Sequence, residues 1–115
     1  MLILFQSVTF AQTGTIRLGA TLPLSGDVAT YGNLIRDGII LASEDLNKQG
    51  IPIELFFEDV PTPGAQALSA INKLISQSKI QALAGNFWNP VIPIIAPELA
   101  KNKIPSFHSA VADDL

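Results

Sequence analysis

The chain of 115 residues carries seven Lys and Arg against ten Asp and Glu, a formal net charge of −3 at pH 7. This balance excludes the basic surface by which proteins bind nucleic acid, and the absence of cysteine excludes disulfides and thiolate metal sites. The 48% hydrophobic content suits buried parallel strands, or a piece of a larger protein, and the length suits one domain.

The N-terminal segment, MLILFQSVTFA, is a short apolar run that ends in a small residue. Thr9 and Ala11 stand at the spacing of a signal-peptidase site, which favours a signal-peptide remnant over residues 1–11. The alternative is an apolar strand, since no Lys or Arg precedes the run. No later run reaches the roughly 18 apolar residues of a membrane span. We therefore predict a periplasmic or otherwise extracytoplasmic protein without membrane insertion, in which residues 12–115 form the folded domain.

The first strand and the first helix are predicted at the start of this domain. Apolar residues dominate Ile16–Leu22, and Pro23 and Gly26 then interrupt the strand, because proline lacks an amide donor and glycine tolerates positive φ. From residue 30 or 31 to Lys48, apolar residues recur at helical spacing. Gly50 is typical of a helix C-terminal cap.

The remaining predicted elements alternate between helix and strand. The pattern predicts a second strand over 53–58, a second helix over 65–78, a third strand over 80–84, a third helix after Pro90 and a fourth strand over 105–108. Asn89 is suited to the N-cap of the third helix, and Pro97 is expected to kink or restart it. The βαβαβαβ order predicts an α/β fold with an open parallel sheet and helices on both faces.

No pattern of catalytic residues is present in the sequence. The loop after the first strand lacks the glycine patterns of dinucleotide- and phosphate-binding loops, and Ser25 is not in a nucleophile elbow. His108 is the only histidine, which excludes a multi-histidine metal site and favours a packed residue. Asp59 has no acidic partner after the first strand and is interpreted as a loop-capping residue. We predict a binding protein that is not an enzyme and needs no metal or cofactor.

Side chains suited to ligand binding follow the first and third strands. The carboxyl ends of parallel strands meet at one edge of the sheet, where helix N-termini favour polar or anionic ligands. Ser25, Tyr31 and Asn89 supply hydrogen-bonding groups there. Phe87 and Trp88 either form an apolar wall against the ligand or pack within the domain, and we assign Trp88 to the site.

An ordered set of short motifs runs from about Ile16 to the end of the chain. It comprises Leu22-Pro23-Leu24-Ser25-Gly26 with Tyr31-Gly32, then Glu44-Asp45-Leu46-Asn47-Lys48-Gln49-Gly50, Glu58-Asp59, Ala65-Gln66-Ala67, Asn72-Lys73-Leu74 and Ile104-Pro105. This set resembles the leucine-isoleucine-valine-binding family, the extracytoplasmic solute receptors of bacterial ABC importers.

The resemblance implies a two-lobed receptor of the type I periplasmic binding protein fold, of which this chain holds the first part of lobe one and not the second lobe. It implies that Tyr31 lines the cleft and that Asn89 stands where members often have a serine that grips the ligand carboxylate. It also implies that Ala110 and Ala112 stand where members offer a backbone group and a threonine hydroxyl. Ala112 has no hydroxyl and Pro90 no amide donor, so the amino-acid grip differs here.

We therefore predict the solute-binding component of an ABC importer, which holds an amino acid or an amide-like solute between two lobes and docks on an ABC permease. The alternative is a sensory or regulatory receptor domain on the same fold. A membrane span or a signalling domain encoded downstream would favour that alternative.

Overall fold

The computed structural model describes residues 14–64 and 66–108, which alternate between strands and helices. The elements are β1 (Ile16–Leu22), α1 (Ala29–Lys48), β2 (Ile53–Asp59), α2 (Gln66–Ser76), β3 (Ala82–Asn86), a 3-10 turn (Asn89–Val91) and α3 (Ile92–Lys101). The predicted signal-peptide remnant at residues 1–11 lies outside the described residues. The first strand and the first two helices lie close to where the sequence predicts them.

The described strands form one parallel sheet in the order β2-β1-β3. The central strand β1 pairs with β2 along its whole length and with β3 on its other side, where a register shift falls between Gly19 and Ala20. The predicted fourth strand appears, within the described residues, as a single parallel bridge between Leu83 and Ser106. The predicted parallel α/β sheet is therefore confirmed, with its fourth strand reduced to that bridge.

Helices cover both faces of the sheet, as predicted. A Cβ built on Gly19 would touch Leu74 of α2, whereas one built on Gly85 would touch Ile39 of α1, so the two helices lie on opposite faces. The largest buried cluster lies on the α2 side and includes Ile71, Leu74, Leu83, Ile95 and Leu99. The chain passes from β1 to β2 on one side of β1 and then, through α2, to β3 on the other side, so the order in which strands are added to the sheet reverses at β1.

The end of α1 confirms the predicted glycine cap. Gly50 has φ +84°, in the left-handed region that other residues rarely adopt. The amide of Gly50 donates to the carbonyl of Asn47 at 3.1 Å, and the amide of Ile51 donates to that of Leu46 at 3.0 Å. This pair of bonds is a Schellman motif, which satisfies carbonyl groups left over at the helix end and turns the chain toward β2.

The third strand begins two residues later than predicted and ends at Asn86. Ile80, which the apolar run placed in the strand, is a buried residue whose amide donates to the carbonyl of Leu74 at 3.2 Å. It closes the end of α2 instead of pairing in the sheet. A short apolar run does not separate these two ways of burying a side chain.

The third helix differs from its prediction at the N-cap, and it does not restart at Pro97. The 3-10 turn begins at Asn89 itself, so Trp88 and not Asn89 occupies the N-cap position. The helix α3 also continues through Pro97 without restarting. Its apolar face is buried at Ile92, Ile95 and Leu99, and this packing against α2 holds the helix across the missing amide.

One face of α1 carries large apolar side chains without cover. Tyr31, Leu34 and Leu41 are 60%, 65% and 60% exposed, and their spacing of three and seven residues places them on the same side of the helix. On the side facing the sheet, α1 leaves an apolar cavity of about 200 Å³ that Ile39 and Leu46 help to line. The described part of the chain therefore exposes an apolar strip on α1 that consists of Tyr31, Leu34 and Leu41.

Expressed alone, the 115-residue chain is expected to associate through this strip, because its apolar surface gains from removal from water. Light scattering after size-exclusion chromatography would measure the monomer fraction. Leu41→Glu should raise it, whereas Gln49→Glu, which adds the same charge at an exposed polar position, should not. A monomeric wild-type chain with one cooperative unfolding transition would contradict this prediction.

Candidate functional site

The loops after β1, β2 and β3 meet at the carboxyl end of the sheet. Residues at the end of β2 form hydrogen bonds to the loop after β1 and to the turn after β3. The amide of Val60 donates to the carbonyl of Leu22 at 2.8 Å, and the side chain of Asp59 reaches the loop after β1. The carbonyl of Val60 accepts a hydrogen bond from Nε1 of Trp88, in the turn after β3, at 2.8 Å. The loops thus surround the point between β1 and β3 where the strand order reverses, the usual ligand position of open α/β sheets.

Asp59 anchors the loop after β1, which confirms its interpretation as a loop-capping residue. Its Oδ1 accepts the amides of Leu24 at 2.8 Å and Ser25 at 3.3 Å. Its Oδ2 accepts the hydroxyl of Ser25 in a short hydrogen bond. The candidate residue Ser25 is exposed, but its amide and its hydroxyl proton are both engaged by this carboxylate.

An aromatic group joins the start of α1 to the turn after β3. The ring of Tyr31 stacks on that of Phe87 with centroids 6.3 Å apart, and Phe87 meets Trp88 edge to face at 4.9 Å. Trp88 packs against the buried cluster and commits its indole N–H to Val60. Phe87 and Trp88 were both considered for the aromatic wall of the site. Phe87 is the one that contacts Tyr31, whereas Trp88 packs on the core and fixes the turn after β3.

A close approach of backbone fixes where α1 begins. Gly32 is buried, and a Cβ at this position would lie 1.9 Å from the carbonyl oxygen of Pro23. Only glycine permits this contact. The first turn of α1, with Tyr31, is thereby held against the loop after β1.

A buried polar pair supports the turn after β3. Asn86 and Thr21 are 1% and 0% exposed, and they face each other across β1 and β3 in the register that follows the irregularity. The hydroxyl of Thr21 donates to Oδ1 of Asn86 at 3.2 Å, and Nδ2 of Asn86 donates to the carbonyl of Trp88 at 2.8 Å. Neither residue was predicted for the site, because nothing in their sequence context indicates that they pair.

The remaining predicted site residues fall after β3 and at the end of the chain. Asn89 is exposed and opens the 3-10 turn next to Trp88, at the same end of the sheet as Ser25 and Tyr31. Ala110 and Ala112 lie outside the described residues. The candidate residues Ser25, Tyr31 and Asn89 thus lie at the same end of the sheet.

Among the described residues, His108 belongs to no group of metal ligands. Its Nε2 is 2.9 Å from the hydroxyl of Ser106, and partial burial lowers the pKa of the imidazole below its usual 6.5 because the charged form loses hydration. Within residues 14–64 and 66–108, no three His, Cys, Asp or Glu side chains are placed to hold a metal ion. In the same residues, no helix has the length and apolar content needed to cross a membrane.

The profile of the family described as "Periplasmic binding protein" matches residues 15–114. The Leu/Ile/Val-binding protein BraC3 of Rhizobium johnstonii is 30% identical in an alignment 95 residues long, which covers 77% of this chain and 25% of that protein. The chain therefore belongs to the periplasmic binding protein family of type I fold, among relatives of the Leu/Ile/Val-binding proteins. It spans about a quarter of the length of the curated relatives it matches.

Solved structures of solute-binding proteins share the fold. The branched-chain amino acid transporter substrate binding protein LivJ from Streptococcus pneumoniae, in complex with isoleucine, is 28% identical with a TM-score of 0.79. The match covers 88% of this chain and 30% of LivJ. An ABC transporter solute-binding protein from R. palustris, in complex with 4-hydroxybenzoate, is 30% identical with a TM-score of 0.77, over 86% of this chain and 28% of that one. These relatives are binding proteins and not enzymes.

Proposed function

We propose that the protein is an extracytoplasmic solute receptor of an ABC importer, which binds an amino acid or a related small polar solute and delivers it to an ABC permease. The observation that carries this proposal is the meeting of the loops after β1, β2 and β3 at one end of the sheet, with Tyr31 stacked on Phe87. Membership of the periplasmic binding protein family and the apolar run at residues 1–11 support export.

In this proposal the described residues form one wall of a cleft, and a second lobe encoded beyond this chain closes over it. The exposed ring of Tyr31 contacts the apolar part of the solute, and the exposed amide group of Asn89 hydrogen-bonds its polar end. Ala110 and Ala112 remain predicted site residues, and they lie outside the described residues. Residues 12–115 then form the first part of lobe one.

The proposal is tested by a thermal-shift screen on the full-length gene product. The panel contains the amino acids, their amides and small carboxylates, among them isoleucine and 4-hydroxybenzoate, the ligands of the two solved relatives. A specific rise in melting temperature with one of these compounds is the expected result. Turnover of a panel compound, or no binding by any of them, would contradict the proposal.

Tyr31→Ala is expected to weaken binding of the compound found in this screen by at least about fivefold, since an aromatic contact contributes about 1 kcal/mol beyond its buried area. The ring is 60% exposed, so the melting temperature without ligand should change little. Isothermal titration calorimetry measures the affinity. Tyr31→Phe, which keeps the ring, and Leu34→Ala, which trims an exposed residue one turn further on, serve as controls and should bind as the wild type does.

A further inference from the structure

The loops around the candidate site carry negative charge only. Segments 23–28, 59–61 and 87–89 contain Asp27 and Asp59 and no Lys or Arg. Two cations of the adjoining helices are held in ion pairs: Arg36 with Asp37 at 3.0 Å, and Lys73 with Glu58 at 2.6 Å. The described wall of the cleft therefore favours a positively charged group over a negative one.

The hydrogen bonds of Ser25 have the same consequence. A serine hydroxyl has one proton, and Ser25 donates it to Oδ2 of Asp59, which as a carboxylate only accepts. The amides of Leu24 and Ser25 donate to Oδ1 of the same carboxylate. What the exposed Ser25 hydroxyl still offers to a ligand is its oxygen lone pairs.

We propose that Ser25 and Asp59 form an acceptor-only subsite, which takes a hydrogen-bond donor of the solute and prefers a cationic ammonium group. This inference rests on the proposed function and assigns one polar group of the solute to the loop after β1. A carboxylate placed there would meet lone pairs and a negative charge, so it must bind at another part of the cleft. Asp59 acts in this subsite as a positioning residue, because it sets the direction of the Ser25 proton.

The substitution Asp59→Asn reverses the direction of the hydrogen bond between residues 25 and 59 with little change in the shape of the side chain. The amide oxygen still accepts the amides of Leu24 and Ser25, so the loop stays anchored. The amide nitrogen, in the place of Oδ2, donates to the Ser25 oxygen, and the hydroxyl proton is released toward the ligand. The negative charge is removed at the same time.

The experiment measures affinities of the full-length gene product by calorimetry for two matched series of probes. One series is L-leucine, 4-methylpentanoate, which lacks the amino group, and 3-methylbutylamine, which lacks the carboxylate. The other is L-phenylalanine, 3-phenylpropanoate and 2-phenylethylamine. In the wild type, the amino acid should bind at least about tenfold more tightly than its deaminated analogue, as expected for one hydrogen bond to a charged group. In Asp59→Asn this ratio should fall about tenfold, because ammonium binding weakens while carboxylate binding does not.

Two further variants complete the experiment. Ser25→Ala should weaken the ammonium-bearing probes without strengthening the carboxylates, and it tests the subsite even if Asp59→Asn does not fold. Glu44→Gln removes one exposed negative charge on the second half of α1 and should leave the ratio unchanged. Tighter binding of the deaminated probes to the wild type, or an unchanged ratio in Asp59→Asn, would overturn the inference and leave the proposed function intact. If no probe of either series binds, this inference falls, and the wider screen described above decides separately on the proposed function.

Discussion

Gly32→Ala is expected to destabilise the protein by about 3 kcal/mol, although alanine is the better helix former. A Cβ at this position would lie 1.9 Å from the carbonyl oxygen of Pro23 and 2.6 Å from its carbonyl carbon. Both atoms are backbone, so the first turn of α1 must move away from the loop after β1. The movement displaces Tyr31, and ligand affinity should fall together with stability.

Gly38→Ala is the matched control for this substitution. Gly38 lies in the same helix, is exposed, and has no atom within 4 Å of its built Cβ. Alanine there should stabilise the protein by about 1 kcal/mol, the difference in helix propensity between the two residues. Urea unfolding of the full-length gene product measures both free energies. If Gly32→Ala were as stabilising as Gly38→Ala, the close approach of Pro23 to α1 would be wrong.

Asn86→Ala is expected to lower the free energy of unfolding by about 3 kcal/mol. The substitution leaves the carbonyl of Trp88 without the donor at 2.8 Å and the hydroxyl of Thr21 without the acceptor at 3.2 Å. The Asn86 and Thr21 side chains are buried, so water does not readily replace the lost bonds. The turn that carries Phe87 should lose its fixed position, and ligand affinity should fall as well.

Asn102→Ala provides the comparison for Asn86→Ala. Asn102 also donates from Nδ2 to a carbonyl at 2.8 Å, that of Glu98, but it is exposed at the end of α3. Water takes over such a bond, so its loss should cost less than about 1 kcal/mol. Thermal and urea unfolding of both variants give the two values. Equal costs would show that burial of the Thr21–Asn86 pair contributes nothing.

Much of the fold follows from local patterns in the chain. The apolar run of β1, the helical spacing in α1 and the cap at Gly50 act over fewer than about 20 residues, so they can be read without knowing what packs on what. The start of β3 was predicted two residues too early because Ile80 is buried at the C-terminal end of α2 and not in the strand. An apolar residue in the sequence does not distinguish these two buried positions. Pro97 stays inside α3 because burial against α2 outweighs a local preference.

The candidate site divides in the same way. Ser25, Tyr31 and Asn89 were recognisable as polar or aromatic residues next to strand ends, and the family resemblance pointed to the last two. Their partners were not recognisable. Ser25 meets a carboxylate 34 residues away, and Asn86 faces a hydroxyl 65 residues away. Phe87 and Trp88 are neighbours in the chain, yet one contacts Tyr31 and the other packs on the core.

By itself, the sequence determined the alternation of strands and helices, the parallel sheet, the family and the end of the sheet where the candidate site residues lie. These depend on periodicity, turn residues and short motifs, which are local. Only the tertiary structure decided the register of β3 against β1, the contact of Gly32 with Pro23 and the direction of the Ser25 proton. Each of these depends on atoms brought together by the pairing of strands and the packing of helices. Differences of a few tenths of an ångström in interatomic distance decide whether a hydrogen bond or a close contact forms, and residue type alone does not give those distances.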